Sequence, residues 1–265
     1  MRLQNKVIII TGSTTGIGKA IALRCVREGA SVVIHGLEQD WGEEVVATIG
    51  KDKAVLHVED ISHDDAAQRL TDAAIKNFGK LDAVVNNAAW VVSSNINTTD
   101  ATFFRKVLEV NMIAPFALIK AALPHLRETH GCILNIGSVN AYCGEPNLLA
   151  YSVSKGALMT MTKNLGDTLF REDGVRVNQI NPGWVLTENE VKRKREQGLP
   201  DDWYKNLDSV KAPAGRILLP QEIAAAVIYW LSDESSSISG QVLDIEQYPF
   251  AGRNPPKDSA TLQKK

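Results

Sequence analysis

Cysteine is scarce in this chain. Its three residues, Cys25, Cys132 and Cys143, form no Cys-x-x-Cys pair and cannot all be bridged, so no disulfide framework is expected and a reducing cytoplasm is. Five histidines are scattered without the spacing of metal ligands, so no metal is expected. Charge of one sign is missing too: 29 Lys and Arg stand against 31 Asp and Glu, a formal net charge of −2, which gives no global field for nucleic acid or an anionic membrane. No apolar run approaches the roughly 18 residues of a spanning helix. The amino terminus passes from Met1-Arg2-Leu3-Gln4-Asn5-Lys6 straight into a short apolar run, so no signal segment is expected. The partner that remains is a small molecule.

What is present is core. With 265 residues and 44% hydrophobic side chains, the chain has enough material for one substantial α/β domain, expected over 1–248. Seven short apolar, β-branched runs recur at 7–11, 31–35, 54–58, 83–86, 132–136, 175–180 and 241–245, as strands buried on both faces should. Stretches of helical spacing lie between them, at 17–28, 41–49, 64–78, 102–126, 151–170 and 221–231. That alternation predicts a Rossmann-like, doubly wound parallel sheet of seven strands with helices on both faces, and ligands bind such sheets beyond the carboxyl ends of the strands. Residues 187–212 break the rhythm and carry Trp203-Tyr204, so they are expected to form a substrate lid. The polar tail 249–265 is expected to be partly disordered or docked on another subunit.

Just after the first strand the sequence reads Thr11-Gly12-Ser13-Thr14-Thr15-Gly16-Ile17-Gly18, a Gly-x-x-x-Gly-x-Gly turn that opens a helix. Glycines there permit positive φ and close approach, and the helix start offers free N–H groups to a pyrophosphate, so the turn from Gly12 through Thr14, Thr15, Gly16 and Ile17 to Gly18 is a candidate dinucleotide site. After the second strand comes His35-Gly36-Leu37-Glu38. An acidic residue there accepts from the ribose of NAD, whereas NADP calls for a basic one, so NAD is favoured over NADP. Asp60, with Ile61 beside it, is placed to meet the adenine edge.

Tyr151 and Lys155 are four residues apart at the start of a helical pattern and therefore share a face. Moving a phenol from a pKa of about 10 to near 7 requires about 4 kcal/mol of preferential stabilisation of the phenolate, which an ammonium and an oxidised nicotinamide are suited to supply. Ser138 ends a buried strand, where its hydroxyl can donate to a substrate oxygen while Tyr151 transfers the proton.

With these motifs in place, residues 5–246 resemble the short-chain dehydrogenase/reductase family: Gly12, Gly16 and Gly18; Asn86-Asn87-Ala88-Ala89; Asn111; Ser138; Tyr151 and Lys155; and Pro182-Gly183 with Thr187. The resemblance implies that Tyr151 is the general acid/base, that Lys155 binds the nicotinamide ribose and lowers the tyrosine pKa, that Ser138 orients the substrate and that Asn111 holds a water of the proton relay. It also implies that Asn87 and Ala88 line the adenosine-ribose side, that Pro182, Gly183, Val185 and Thr187 contact the nicotinamide end, and that helices 102–126 and 151–170 form the interface of a homotetramer or homodimer. Two departures stand out: Ala89 where the family often has glycine, and Asp244-Ile245-Glu246-Gln247-Tyr248 where it often ends Asp-Gly-Gly.

The expected reaction is hydride transfer between NAD(P) and a secondary alcohol or ketone of a small polar molecule, a sugar, polyol or hydroxy acid. Trp90, Asn140, Glu145, Trp184, Trp203 and Tyr204 are candidates for shaping the pocket. One alternative is reduction of a 3-oxoacyl thioester on an acyl carrier docked by Lys192-Arg193-Lys194-Arg195. Another is a dinucleotide-sensing or scaffold protein without turnover.

Overall fold

The computed structural model describes residues 1–249. Residues 250–265, most of the expected tail, lie outside the described residues.

Seven strands form one wholly parallel sheet in the order β3-β2-β1-β4-β5-β6-β7. They are β1 (Val7–Ile10), β2 (Ser31–Gly36), β3 (Ala54–Val58), β4 (Ala83–Asn86), β5 (Cys132–Ile136), β6 (Arg176–Pro182) and β7 (Val242–Ile245). The strand residues of β1 show why the runs read as continuous: Ile8 and Ile10 enter one core, while Val7 and Ile9 enter the other. The first core is closed by α1 (Gly16–Arg27), α2 (Gln39–Ile49) and α8 (Pro220–Leu231). The second lies under α3 (Ala66–Phe78), α5 (Ala114–Thr129) and α6 (Leu149–Asp173). The order reverses between β1 and β4, which opens a crevice at their carboxyl ends.

The expected helix at 102–126 is not continuous. It runs as α4 (Ala101–Leu108), a π-helical turn at Glu109–Ile113, then α5, and the wide turn carries the buried Asn111. The stretch Ala101–Thr129 is also long and apolar enough, by length and composition, to cross a membrane, which corrects the expectation that no run would be. In the fold its Leu118, Ile119, Ala122 and Leu126 are core residues of the second layer.

Packing of α6 on the approach to β7 depends on Gly166. A Cβ built there would stand 2.3 Å from Gly240 Cα and 2.4 Å from Gly240 N, both backbone atoms that cannot rotate away. Gly166→Ala therefore sets a helix-propensity gain of about 1 kcal/mol against overpacking at the upper end of about 1–3 kcal/mol, and the clash wins. The expected outcome is a melting temperature lower by about 3–6 °C in thermal unfolding monitored by circular dichroism.

Candidate active site

The turn after β1 is shaped by backbone it could not otherwise adopt. Gly12 and Gly16 have φ of +61° and +53°, and a Cβ on Gly18 would meet Gly12 O at 2.2 Å. Asn87, just past β4, ties the turn down: its side-chain amide donates to the carbonyls of Thr11 and Gly12, each at 2.9 Å. Thr15 stands at the N-cap of α1 without a side-chain cap, so the helix start presents N–H groups to the crevice. One of them, Gly16 N, donates to the Glu188 carboxylate at 3.1 Å. His35 is buried and accepts from Gly12 N at 3.3 Å, and burial depresses its pKa to about 4, so it is neutral with its proton on an unpartnered Nε2. Thr14 Oγ1 donates to Glu38 at 3.2 Å. Asp60 accepts from Ser62 N at 2.9 Å and from Ser62 Oγ at 2.7 Å, bonds that hold its carboxyl below the usual range. Ala89 is exposed and does not need positive φ, so this departure from the family pattern is accommodated.

Across the crevice, α6 starts beside the end of β5. The ammonium of Lys155 is buried and donates to Ile136 O at 2.7 Å, lying 5.6 Å from the Tyr151 ring centre. Desolvation alone lowers its pKa to about 8. Burial pushes the Tyr151 phenol up to about 12, a hydrogen bond with Ser138 counteracts part of that rise, and the Arg193 charge counteracts a smaller part. Desolvation is thus the largest influence on the phenol and raises its pKa, while the short hydrogen bond of Lys155 goes to Ile136 and not to the phenol. Ser138 Oγ accepts from Asn140 N at 3.2 Å, so its one hydrogen is available for the bond with Tyr151. Asn111 clamps the loop after β4 to α6: it accepts from Trp90 N at 2.7 Å and donates to Ser154 Oγ at 3.0 Å.

Beneath Ser138 runs a polar chain that the strand pattern concealed. Asn86 donates to Asn135 at 2.8 Å, Asn135 to Thr162 at 2.8 Å, Thr162 to Gln179 at 2.9 Å, and Gln179 to Asn181 at 2.7 Å. Asn181 then accepts from Ser138 N at 3.1 Å and donates to Asp244 at 3.0 Å. Polar side chains inside otherwise apolar strands were the available signal. Glu246, in the divergent segment after β7, lies so close to Gly183 that a Cβ there would stand 1.8 Å from its carboxylate, and it accepts from Trp184 N at 3.0 Å.

Of the residues nominated for catalysis or cofactor contact, all but Gly18 and Asn111 line a single cavity of about 830 Å³. Trp90, Asn140, Glu145 and Trp184 also line it. Trp203 and Tyr204 do not: Trp203 is buried, stacked on Trp184 at 5.0 Å, with Tyr204 against its edge at 5.7 Å. Thr187 caps α7 (Glu188–Glu196) by accepting from Glu190 N at 3.1 Å. The basic run is divided, with Arg193 and Lys194 lining the cavity while Arg195 pairs with Asp201 at 2.6 Å and Lys192 is exposed.

A glycine cradle against bare helix N–H groups at one end, and a phenol, ammonium and hydroxyl at the other, fit a nicotinamide dinucleotide. Residues 12–247 match the family model described as enoyl-(acyl carrier protein) reductase. The chain belongs to the short-chain dehydrogenase/reductase family. Similar members include the NADP-dependent (R)-specific alcohol dehydrogenase of Lentilactobacillus kefiri, 35% identical over 90% of this chain and 94% of that one. The meso-2,3-butanediol dehydrogenase of Serratia marcescens is 30% identical over 97% and 99%, and the L-fucose dehydrogenase of Mus musculus 35% identical over 90% and 86%. The chain is accordingly an oxidoreductase of this family that acts on CH–OH groups with NAD(P).

Because the folded pKa of Lys155 lies near 8 against an ordinary 10.5, the unfolded chain binds the extra proton between these values. Burial of the charge thus costs stability below pH 8, and stability recovers as pH rises toward 10.5. In chemical denaturation at pH 7 and pH 10, the stability of the wild type relative to Lys155→Met is expected to rise by about 2–3 kcal/mol.

Proposed function

We propose that Tyr151 is the proton-transfer residue of a dehydrogenase for a secondary alcohol or ketone of a small polar substrate. The observation that carries this is the meeting of Tyr151, Ser138 and the buried Lys155 on one wall of the cavity whose other end is the glycine turn. In oxidation, the substrate hydroxyl donates to Tyr151 while Ser138 fixes its oxygen. When bound, the oxidised nicotinamide supplies the hydride acceptor and a positive charge beside the phenol. Lys155 adds its ammonium beneath the phenol and is placed to hold the nicotinamide ribose. Asn111, in its π-turn, keeps α6 and the loop after β4 in register and is assigned the relay water.

The cofactor contacts are assigned to the turn from Gly12 to Gly18, to Asp60 and Ile61, to Asn87 and Ala88, and to Pro182, Gly183, Val185 and Thr187. NAD is the proposed cofactor, because Glu38 stands beside Thr14 in the cavity after β2. Residues 1–248 are assigned as one catalytic domain and 187–212 as its lid, which touches the phosphate turn through Glu188. A homotetramer or homodimer is proposed from the exposed Ile113, Phe116 and Val153 on the π-turn, α5 and α6. A cytoplasmic location is proposed as well, and the three unpaired cysteines support it. The division of the basic run weakens the thioester reading, and the assembled wall of Tyr151, Ser138 and Lys155 weakens the scaffold reading.

A panel of alcohols and ketones assayed by nicotinamide absorbance with both cofactors tests this proposal. Tyr151→Phe is expected to lower kcat by about 10²–10⁴-fold with cofactor affinity retained, and normal turnover by that variant would refute the role. In the same assay kcat/KM should favour NAD over NADP by at least about 10-fold, and Glu38→Ser should narrow that ratio.

A further inference from the structure

The tetrabasic run at 192–195 was a candidate carrier-docking face, yet helix geometry turns its two middle members inward. Arg193 and Lys194 line the substrate end of the cavity, and Lys211 joins them from the facing loop. Arg193 is largely sheltered, its side chain 20% exposed, and only one edge of its guanidinium is used: Nε and Nη2 each donate to Glu190 at 2.9 Å. Nη1 has no acceptor among the described residues. Glu190 is in turn fixed by Trp184 Nε1 at 2.8 Å, so this carboxylate acts as a buttress that aims the guanidinium. Lys194 lies over the Trp184 and Trp203 rings at 5.4 and 5.9 Å, and neither it nor Lys211 has a carboxylate at ion-pair distance among the described residues.

Carboxylates line the same end, but they are largely engaged. Glu190 receives three donors, and Glu246 accepts from Trp184 N at 3.0 Å and from Gln247 N at 2.7 Å. Glu145 is exposed and meets Asn140 at 3.4 Å. Three cations and three carboxylates thus share this end, and on the cationic side Arg193 Nη1 and the two ammonium groups keep open donor positions. A sheltered guanidinium with an open edge binds a planar or tetrahedral anion far better than a solvated surface charge does.

Resting on the dehydrogenase reading above, we propose that the pocket selects a secondary alcohol or ketone bearing an anionic head group, a carboxylate, phosphonate or sulfonate. Arg193 anchors that group, with Lys194 and Lys211 beside it. The head group stays unchanged in the reaction: the carbinol hydrogen leaves with its electron pair to the oxidised cofactor, the hydroxyl proton passes to Tyr151, and a ketone of the same head-group charge remains.

The test compares 3-hydroxybutyrate, 2-hydroxypropylphosphonate and 2-hydroxypropanesulfonate with neutral 3-hydroxybutyramide. At least one anion should exceed the amide in kcat/KM by about 10–100-fold. Arg193→Gln should bring that ratio within about 3-fold of unity, and Arg193→Lys should restore part of it. An amide used as well as the best anion, or a ratio that survives Arg193→Gln, overturns the proposal. If no alcohol of either kind is oxidised with either cofactor, the dehydrogenase reading fails. Calorimetric titration of acetoacetate with NAD present still decides the anion site: binding by the wild type that is lost in Arg193→Gln supports it, and absence of binding overturns it.

Discussion

An ammonium group buried under a sheet edge constrains most of this site. Lys155 is 2% exposed, and the acceptor it meets is the carbonyl that ends β5. Desolvation penalises its charge, and the 2.7 Å bond to Ile136 O is the compensation the fold provides. That bond pins the first turns of α6 to the carboxyl end of β5. Once it is made, Tyr151 one turn earlier on α6 and Ser138 two residues beyond Ile136 have little freedom to be anywhere but together. The polar chain from Asn86 to Asp244 holds the same edge from below, and its Asn181 fixes the backbone N–H of Ser138.

The glycine turn and the start of α7 form a second coupled unit. Thr187 caps α7, the next residue, Glu188, reaches Gly16 N, and Thr187 itself lies 3.3 Å from where a Gly16 side chain would begin. The start of α7 therefore rests on the helix terminus that the proposed pyrophosphate would use. Farther along, Trp184, Glu190 and Arg193 interlock, so the position of α7 and the Arg193 charge felt by Tyr151 are set by the same contacts. Glu246, in the segment after β7 that departs from the family's usual ending, extends this unit, because its carboxylate holds Trp184 N.

The sheet was legible because parallel strands covered on both faces must be apolar at successive positions, as Val7, Ile8, Ile9 and Ile10 are. The turn, Ser138, Tyr151 and Lys155 were legible because glycines and a helical i,i+4 pair carry their geometry locally. Asn111 was found, but its π-turn was not, since the extra residue in the turn serves a partner on α6 distant in sequence. The polar chain escaped because its members come from three strands and a helix, β4, β5, β6 and α6, and gain their meaning only from one another. The directions of Trp203 and of the basic run depended on tertiary packing that spacing does not encode. For Tyr151 the spacing gives the lysine neighbour, whereas burial, which raises the phenol's pKa, and the bond of Lys155 to a backbone carbonyl come from tertiary packing.

In the proposed mechanism the protein alone keeps Tyr151 protonated, and a positive nicotinamide beside Lys155 would turn it into a base. Ultraviolet titration of the phenolate, taken as the difference between wild type and Tyr151→Phe with and without NAD, measures this directly. The account predicts a phenol that resists ionisation through pH 10 in the free protein and titrates at markedly lower pH once NAD is bound. A Tyr151 phenol that titrates at the same pH in both states would contradict it.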